Sequence, residues 1–474
     1  MSQPVRTAPA PAPALAHPAA PEPRPAATLA VTSAATAVAL MTYTAPMVTL
    51  GDTAASLHTG LSAQAWLLNG TPLGLAALLL VAGSLADDYG RRRAFLLGTF
   101  ALGLTTALGA LAPTTLLFTL ARIAQGAASA AILAASLGLL VHAFPTLSGR
   151  IRATGVWGAF VSGGIALGPV VSGYVSQVAD WRWAYGTLAV AALLVAALAP
   201  RSLTESRSPR GGRPDLPGAL TLGLALAALL AALTLGRDGW LRAPVGVLLA
   251  SAVALLTAFV VVERRGATPM LDLSLLRRPL FLASTAGAFF TGLSVIALFS
   301  YVPTLVQRTM AVTPMGTAGL FVIWSGAGFV VALQARRLAG RVSPRHQLAV
   351  GFALHALAVL TLLGAAGSGH WTRLLPGLLI SGIGSGLLNA ALPLLAVESV
   401  PAGRAAMGSG ANNTARYIGS AAGVSLMIAL ATSSGTSPHA LSEGMNTALI
   451  VSAALAVVAA TLLLTLRERR SSAA

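Results

Sequence analysis

Arg122 and Arg416 lie inside stretches of sequence that are otherwise apolar. An arginine at the centre of a membrane helix costs about 2.5 to 3.5 kcal/mol on insertion scales, so Arg122 must face a polar interior. It could serve transport chemistry there, or form a buried hydrogen bond between helices. Arg416 follows Arg404 by twelve residues. The aliphatic part of its side chain could therefore also lie along the helix while its guanidinium reaches the membrane surface. Function and surface anchoring are equally open for Arg416.

Carboxylates are the usual groups that bind and release protons, and none lies at the centre of an apolar stretch. Asp52 is the nearest candidate, near the outer end of the first stretch, although it could simply begin the following loop. His355 could carry a proton because its ordinary pKa lies near ~6.5. A packed, uncharged histidine is the simpler interpretation of that residue.

Other kinds of chemistry are not indicated. The chain has no cysteine, which excludes disulfides, iron–sulfur clusters and thiol catalysis. No nucleophile elbow, metal-ligand cluster or phosphate-binding loop occurs, so we expect a protein that is not an enzyme and holds no metal or cofactor. The formal net charge of +17 does not indicate a nucleic-acid partner, because the arginines are scattered between apolar runs.

Composition identifies the elements that must position these residues. Hydrophobic residues make up 55% of 474 positions and charged residues 9%, which predicts an all-α polytopic membrane protein. Apolar runs long enough to cross a bilayer number fourteen. They lie near 28–50, 64–86, 94–112, 114–143, 153–179, 183–200, 218–236, 243–262, 280–306, 315–334, 347–366, 373–398, 405–432 and 445–466.

The runs divide the chain into segments. We expect a Pro- and Ala-rich disordered cytoplasmic tail over 1–27 and a second cytoplasmic tail over 467–474. Six-helix bundles are predicted over 28–200 and 280–466. Between them lie a linker over 201–217, two inserted helices over 218–262 and a loop over 263–279. The inserted runs contain almost no polar residues, which favours a packing role at the lipid-facing rim.

The arginines predict the orientation of the chain. With the amino terminus inside, 23 of 30 arginines fall on cytoplasmic segments. That asymmetry predicts a multi-pass protein of the cell membrane with both termini in the cytoplasm.

Two internal matches indicate a duplication. Leu116 to Gly126 aligns with Leu374 to Gly384 at an offset of 258, and Gly164 and Gly168 match Gly419 and Gly423 at an offset of 255. Similar offsets on separate helices predict two homologous six-helix halves, with the inserted pair between them.

Two motifs stand out. GSLADDYGRRR, Gly83 to Arg93, is a charged turn between two apolar runs. GAFVSGGIALGPVVSGYV, in the fifth run, spaces small residues one turn apart so that backbones can approach closely, and its proline bends the helix. The alternative for the second motif is ordinary helix packing.

Both motifs resemble those of the major facilitator superfamily, and in particular its 14-helix drug:proton antiporters. The loop between helices 2 and 3 matches at Gly83, Asp87, Gly90, Arg91 and Arg92, with Asp88 where the family usually has a basic residue. The antiporter motif of helix 5 matches at Gly164, Gly168, Pro169 and Gly173, with Ser172 replacing a glycine. Further matching positions are Trp66, Arg122, Gln125, Gly126, Trp181, Arg182, Trp183, Asn413, Gly419 and Gly423.

The resemblance implies a secondary active exporter of antibiotics or other small amphiphiles, in exchange for protons, by alternating access between two rocking bundles. It gives Arg122 a role in proton relay, with Gln125 beside it and Asp52 as the nearest acid. Because monomers are usual in that family, the resemblance also implies a monomer. Close relatives carry acids where this chain has Thr42 and Asn69, so a neutral or anionic substrate is favoured over a cation.

Polar and aromatic residues of the apolar runs are the candidates for a substrate cavity, each weighed against plain interhelical bonding. They are Thr42, Tyr43, Asn69, Thr71, Gln125, Tyr301, Trp324, Asn389, Asn412 and Arg416. Asp87 ends the second helix, where the helix dipole repels its charge, so we expect an arginine of its loop or the amino end of a helix in the other half as its partner. The second-half loop, Ala335 to His346, lacks this aspartate, which predicts a one-sided cytoplasmic latch.

Two alternatives remain open at this stage. One is a specific metabolite transporter or facilitator without proton coupling, and the other is a membrane sensor or scaffold that no longer transports.

Overall fold

The computed structural model describes residues 24–208, 215–236, 239–266, 269, 271–338, 341–435 and 437–466. Most of the predicted 1–27 tail, the 467–474 tail and part of the 201–217 linker lie outside these residues. The α-helices within the described ranges are α1 (Pro25–Thr44), α2 (Pro46–Ser56), α3 (Leu61–Tyr89), α4 (Arg91–Ala110), α5 (Thr115–Ala143), α6 (Leu147–Val178), α7 (Trp181–Ser202), α8 (Leu216–Leu235), α9 (Ala243–Arg265), α10 (Pro279–Phe290), α11 (Ala297–Met310), α12 (Pro314–Gln334), α13 (Pro344–Thr361), α14 (Leu375–Glu398), α15 (Ala405–Ala431) and α16 (Pro438–Thr465).

Fourteen helices of the described chain are long and apolar enough to cross a membrane, which confirms the predicted number. The first begins at Pro25, within the predicted tail, and is broken before Pro46, where α1 gives way to α2. A proline inside a helix removes one backbone donor, which explains the break. The ninth joins α10 to α11 through a π-helical segment, Thr291–Ile296, a distortion that is frequent at functional sites.

The packing pattern repeats in two halves, as the duplication predicts. In the first half α1 packs on α6, α5 packs on α3 and α4, and α4 packs on α7. In the second half the α10–α11 unit packs on α15, α14 packs on α12 and α13, and α13 packs on α16. The halves meet where α3 packs on α15 and where α6 packs on α12 and α14.

Glycines set the closest helix contacts within each half. A Cβ on Gly164 or Gly168 would come within 2.9 Å of a Cα atom of α1, at Ala37 or Met41. Gly419 and Gly423 approach α10 and the π-helical segment in the same way. The structure places glycines 164 and 168 of α6, the helix that carries the second motif, against α1 of their own half.

The fifth membrane helix is α6, and its contact with the other half uses different residues. A Cβ on Gly158 would lie 2.8 Å from the carbonyl carbon of Asn389 in α14. Gly173 lies between Val48 of α2 and Met315 of α12, and Pro169 is buried within α6. The boundary therefore runs along the face of α6 that carries Gly158 and Gly173.

The two inserted helices differ from each other. Helix α9 packs on α8 and exposes apolar residues such as Val247 and Val253, as expected of a lipid-facing rim. Helix α8 packs on α3 and α15, at the seam between the halves. The Ser425 hydroxyl of α15 donates to the Leu233 carbonyl of α8 over 3.0 Å. The expected rim position therefore fits α9, whereas α8 exposes Leu220 and Leu224 on one side and packs at the seam on the other.

Candidate functional site: a cavity between the two halves

A cavity of about 860 Å³ lies between the halves. Its lining includes Asp52 near the end of α2, Gln64 at the start of α3, Gln177 at the end of α6 and Arg308 at the end of α11. These four positions share one end of the bundle, which we call the open end. The opposite end, which carries Arg91, we call the arginine end.

A smaller cavity of about 30 Å³ lies deeper between the halves and shares Tyr43, Met47 and Ser300 with the large one. Its walls are mostly apolar and aromatic, and Phe299 stacks on Trp324 with ring centroids 4.7 Å apart. The two spaces therefore adjoin through the residues that they share.

Arg416 and Asn389 are the polar centre of the inner cavity. The Arg416 Nη2 donates to Asn389 Oδ1 over 3.0 Å, and Asn389 Nδ2 donates to Ser162 Oγ over 3.0 Å. Asn389 therefore joins α14 to α15 and to α6 of the other half. Arg416 lies in the cavity wall and does not extend to the membrane surface.

Arg122 is fully buried at the break between α1 and α2. Its Nη1 donates to the Thr42 carbonyl over 2.7 Å and to Gln125 Oε1 over 2.8 Å, and its Nη2 donates to the Tyr43 carbonyl over 3.1 Å. Pro46 has no backbone N–H, so it cannot supply the helical hydrogen bond that the Thr42 carbonyl would otherwise accept. Arg122 supplies that donor from α5.

The structure does not bring Asp52 to Arg122. Asp52 is exposed at the open end, where its Oδ2 accepts a hydrogen bond of 2.9 Å from Ser176. Neither Arg122 nor Gln125 is among the residues that line the two cavities. Gln125 instead accepts from Arg122 and donates to the Thr105 carbonyl.

The structure places some of the predicted cavity residues in the two cavities and others outside them. Tyr43, Asn69 and Tyr301 line the large cavity, whereas Tyr43, Trp324, Asn389 and Arg416 line the inner one. Thr42, Thr71 and Asn412 line neither and were wrongly placed, because each is buried in a contact between or within helices. The Thr71 hydroxyl donates to the Arg122 carbonyl, and the Asn412 amide donates to Ser284.

Asp87 joins the halves at the arginine end. Its carboxylate is fully buried and accepts from Arg91 Nε over 2.8 Å and from the Met407 amide of α15 over 2.8 Å. Arg91 in turn donates to the Gly403 carbonyl over 2.7 Å. Gly83 allows this approach, because a Cβ there would lie 2.9 Å from the Ala406 carbonyl carbon. Both kinds of partner expected for Asp87 are present.

Two further ion pairs close the same end. Arg404 of the second half contacts Asp88 at 2.6 Å, so the aspartate that departs from the family motif has a partner across the boundary. Arg150 at the start of α6 contacts Glu398 at the end of α14 at 2.7 Å. The second pair lies outside the loop Ala335 to His346, so the one-sidedness of the aspartate latch stays a prediction.

Gly90 and Arg92 do not reach the second half. Gly90 adopts a φ of 127°, in the region that favours glycine, and so allows the turn between α3 and α4. The Arg92 amide donates to Glu205, and its guanidinium donates to the Pro200 carbonyl. Arg92 thus holds the segment that follows α7.

His355 belongs to a buried chain of hydrogen bonds in the second half. Trp324 Nε1 donates to Ser381 Oγ over 3.1 Å, and Ser381 Oγ lies 2.9 Å from His355 Nδ1. His355 Nε2 lies 3.1 Å from Ser452 Oγ, which donates to the Ser294 carbonyl over 3.1 Å. A neutral imidazole protonated at Nε2 satisfies every donor in this chain. The chain fixes Trp324 in the wall of the inner cavity.

Sequence reasoning missed several residues of the site. Ser162 and Thr234 looked like ordinary small polar residues, although Asn69 Nδ2 donates to Thr234 Oγ1 over 3.3 Å across α3 and α8. Glu398, a lone acid at the end of an apolar run, was the signal available for the second ion pair. Gly158 carried no signal beyond its spacing from the helix 5 motif.

The chain was compared with known proteins. The family model described as Major Facilitator Superfamily matches residues 32–424. The puromycin resistance protein pur8 of Streptomyces alboniger is 32% identical over 413 residues, covering 84% of this chain and 81% of the relative. The multidrug resistance protein Stp of Mycobacterium tuberculosis is 31% identical over 381 residues, covering 80% of this chain and 71% of the relative.

The architecture matches a solved structure. The human organic anion transporter MFSD10 (TETRAN) superimposes with a TM-score of 0.64, covering 93% of this chain and all of that one. Sequence identity is 17%, so this likeness bears on the fold alone.

Proposed function

The chain belongs to the Major Facilitator Superfamily, and on that premise we propose that it exports an antibiotic or another small amphiphile by alternating access. The observation that carries this proposal is a cavity that opens at one end while buried ion pairs close the other. Such a state is one half of a transport cycle. The resistance proteins among the relatives support drug-like amphiphiles as the substrate class.

The proposed orientation places the arginine end in the cytoplasm, with both termini there. The charge of short loops supports it, because arginines are retained on the cytoplasmic side of membrane proteins. In that orientation the cavity faces the outside, in the state that releases an exported compound.

We propose proton exchange as the driving reaction. Asp52 is the carboxylate among the residues that line the two cavities, so it is the group we assign to proton binding. The relay role implied for Arg122 and Gln125 has less support, since both hold the α1–α2 break. A transporter without proton coupling is the second candidate, because Asp52 is exposed at the open end and is not among the residues that line the inner cavity.

Accumulation of a compound panel in a drug-sensitive bacterial host tests the proposal. Cells expressing the protein should retain less of at least one amphiphile than cells with an empty vector, and collapse of the proton gradient should abolish the difference. Export that survives the collapse, and is unchanged in Asp52→Asn, would favour the uncoupled transporter. If no compound differs from the empty vector, the exporter assignment is wrong.

A further inference from the structure

We propose that the transported compound is an anionic amphiphile, an aromatic or alicyclic frame that carries a carboxylate or sulfonate, and that Arg416 binds its oxyanion. This inference rests on the proposed export function and names the substrate class for the same cavity.

Arg416 is built into the inner cavity as a hydrogen-bond donor. The structure gives its guanidinium one hydrogen bond, from Nη2 to Asn389 Oδ1, and Arg416 lines the cavity. A guanidinium carries five N–H donors arranged in a planar fork. The remaining donors suit the two oxygens of a carboxylate or sulfonate, which arginine binds in a bidentate manner. Asn389 fixes the side chain for that contact, because Ser162 of the other half holds its amide.

The charges along the described cavity lining favour an anion. Asp52, Arg308 and Arg416 are the charged residues that line the two spaces, and the first two lie at the open end. Arg416 is the charge of the inner cavity. A cationic compound seated there would meet a like charge without a carboxylate to offset it, whereas an anion would find its counter-charge.

Apolar and aromatic side chains make up much of the rest of the inner wall. Phe299 and Trp324 form a stacked pair, and Ile165, Ile296 and Met47 are among the other lining residues. Trp324 is held in place through Ser381 and the His355 chain. The inner cavity of about 30 Å³ has room for the acidic group alone, so the ring system would lie in the large cavity, which shares Tyr43, Met47 and Ser300 with it.

An anionic substrate has an electrical consequence that a cationic one does not. A proton moving in and an anion moving out both carry charge in the same electrical direction. A membrane potential that is negative inside should therefore accelerate their exchange. Exchange of a proton for a monovalent cation moves no net charge, so its rate should be insensitive to the potential.

Three fluorescent probes that share one frame separate charge from shape: dansylglycine is anionic, dansylamide neutral and dansylcadaverine cationic. For the purified full-length protein we expect the tightest displaceable binding for dansylglycine. Arg416→Gln should weaken it about tenfold or more, with little change for dansylamide, because a hydrogen bond to a charged group is lost. Arg416→Lys should retain part of the preference, and Arg373→Gln, which removes an exposed arginine, should retain all of it.

Several results would overturn the inference. The inference is wrong if dansylcadaverine binds more tightly than dansylglycine, or if dansylglycine shows no displaceable binding. It is also wrong if Arg416→Gln lowers the affinity for all three probes equally. The last result would make Arg416 a structural residue.

Proteoliposomes containing the wild-type protein then test the electrical consequence with an imposed potassium diffusion potential. Dansylglycine export should rise as the lumen is made negative, and potential-independent export would contradict an anionic substrate exchanged for protons. Export of the cationic probe alone would refute the anion and leave the export function standing. Absence of export for every compound tested would refute the export function itself.

Discussion

The carboxylate of Asp87 in the first half accepts a hydrogen bond of 2.8 Å from the backbone N–H of Met407 in the second half. Met407 lies in the first turn of α15, where N–H groups have no partner within the helix. Arg404, the residue before α15, makes no side-chain cap there. Asp87 therefore caps a helix of the opposite half, and the cap exists while the arginine end is closed.

Replacing Asp87 by Asn should open the arginine end. The substitution removes the charge that strengthens the bonds to α15, so the ratio of closed to open molecules should fall about tenfold or more. The chain has no cysteine, so single cysteines at Leu147 and Arg337 can carry spin labels across this end. The label distance should lengthen in Asp87→Asn and stay unchanged in Glu443→Gln, an exposed acid. An unchanged distance in Asp87→Asn would show that the cap does not hold the end closed.

Arg122 should stabilise the broken first helix. Arg122→Met leaves the Thr42 and Tyr43 carbonyls without their donor and should lower stability by about 3 kcal/mol. Pro46→Ala restores a backbone N–H, so adding it to Arg122→Met should recover about 1 kcal/mol. Apparent melting temperatures in detergent measure both effects.

The control for this pair is Pro344→Ala. Pro344 lies at the first position of α13, where a missing N–H costs little, so this change should recover nothing. If Pro46→Ala and Pro344→Ala restored the stability of the Arg122→Met protein equally, the role assigned to Arg122 would be contradicted.

Gly158→Ala should disfavour the state described here. The added methyl group would contact the Asn389 backbone at the boundary between the halves and cost about 1 to 3 kcal/mol in this state. Transport rates should fall while the amount of folded protein is retained. Gly163→Ala is the matched control on the same helix, because its methyl group would meet the Phe329 ring at 3.3 Å. Equal rates in the two variants would exclude a tight boundary at Gly158.

Helix α8 should influence which compounds are exported. Thr234 lines the large cavity and accepts a hydrogen bond from Asn69. Thr234→Phe should therefore reduce the cavity volume and change the ranking of compounds by the resistance that the protein confers. Thr257→Phe, on the exposed face of α9, should leave that order unchanged. If both variants resemble the wild type, α8 does not shape the cavity.

The helix count and the duplication could be predicted because hydrophobic length and internal repeats are local properties of a sequence. The main-chain partners of Arg122 could not be predicted, because they are the carbonyls of Thr42, which Pro46 leaves without a helical donor, and of Tyr43, and backbone groups carry no sequence signal. Arg416 was ambiguous for a similar reason. Its distance from Arg404 allowed surface anchoring, and only the position of Asn389 on another helix shows that it faces the cavity.

The position of α8 was also beyond sequence reasoning. Both inserted helices have the same apolar composition, which fits lipid and a protein seam equally well. Thr234 becomes meaningful only when α3 brings Asn69 beside it.

Distances across both ends of the same protein test alternating access most directly. One spin-label pair at Leu147 and Arg337 reports on the arginine end, and a second at Val178 and Arg308 reports on the open end. Both pairs would be measured in the wild-type background across a pH range in lipid nanodiscs. The account predicts two populations whose distances change in opposite directions, one end lengthening as the other shortens. Distances that stay fixed at both ends, or lengthen together, would contradict it.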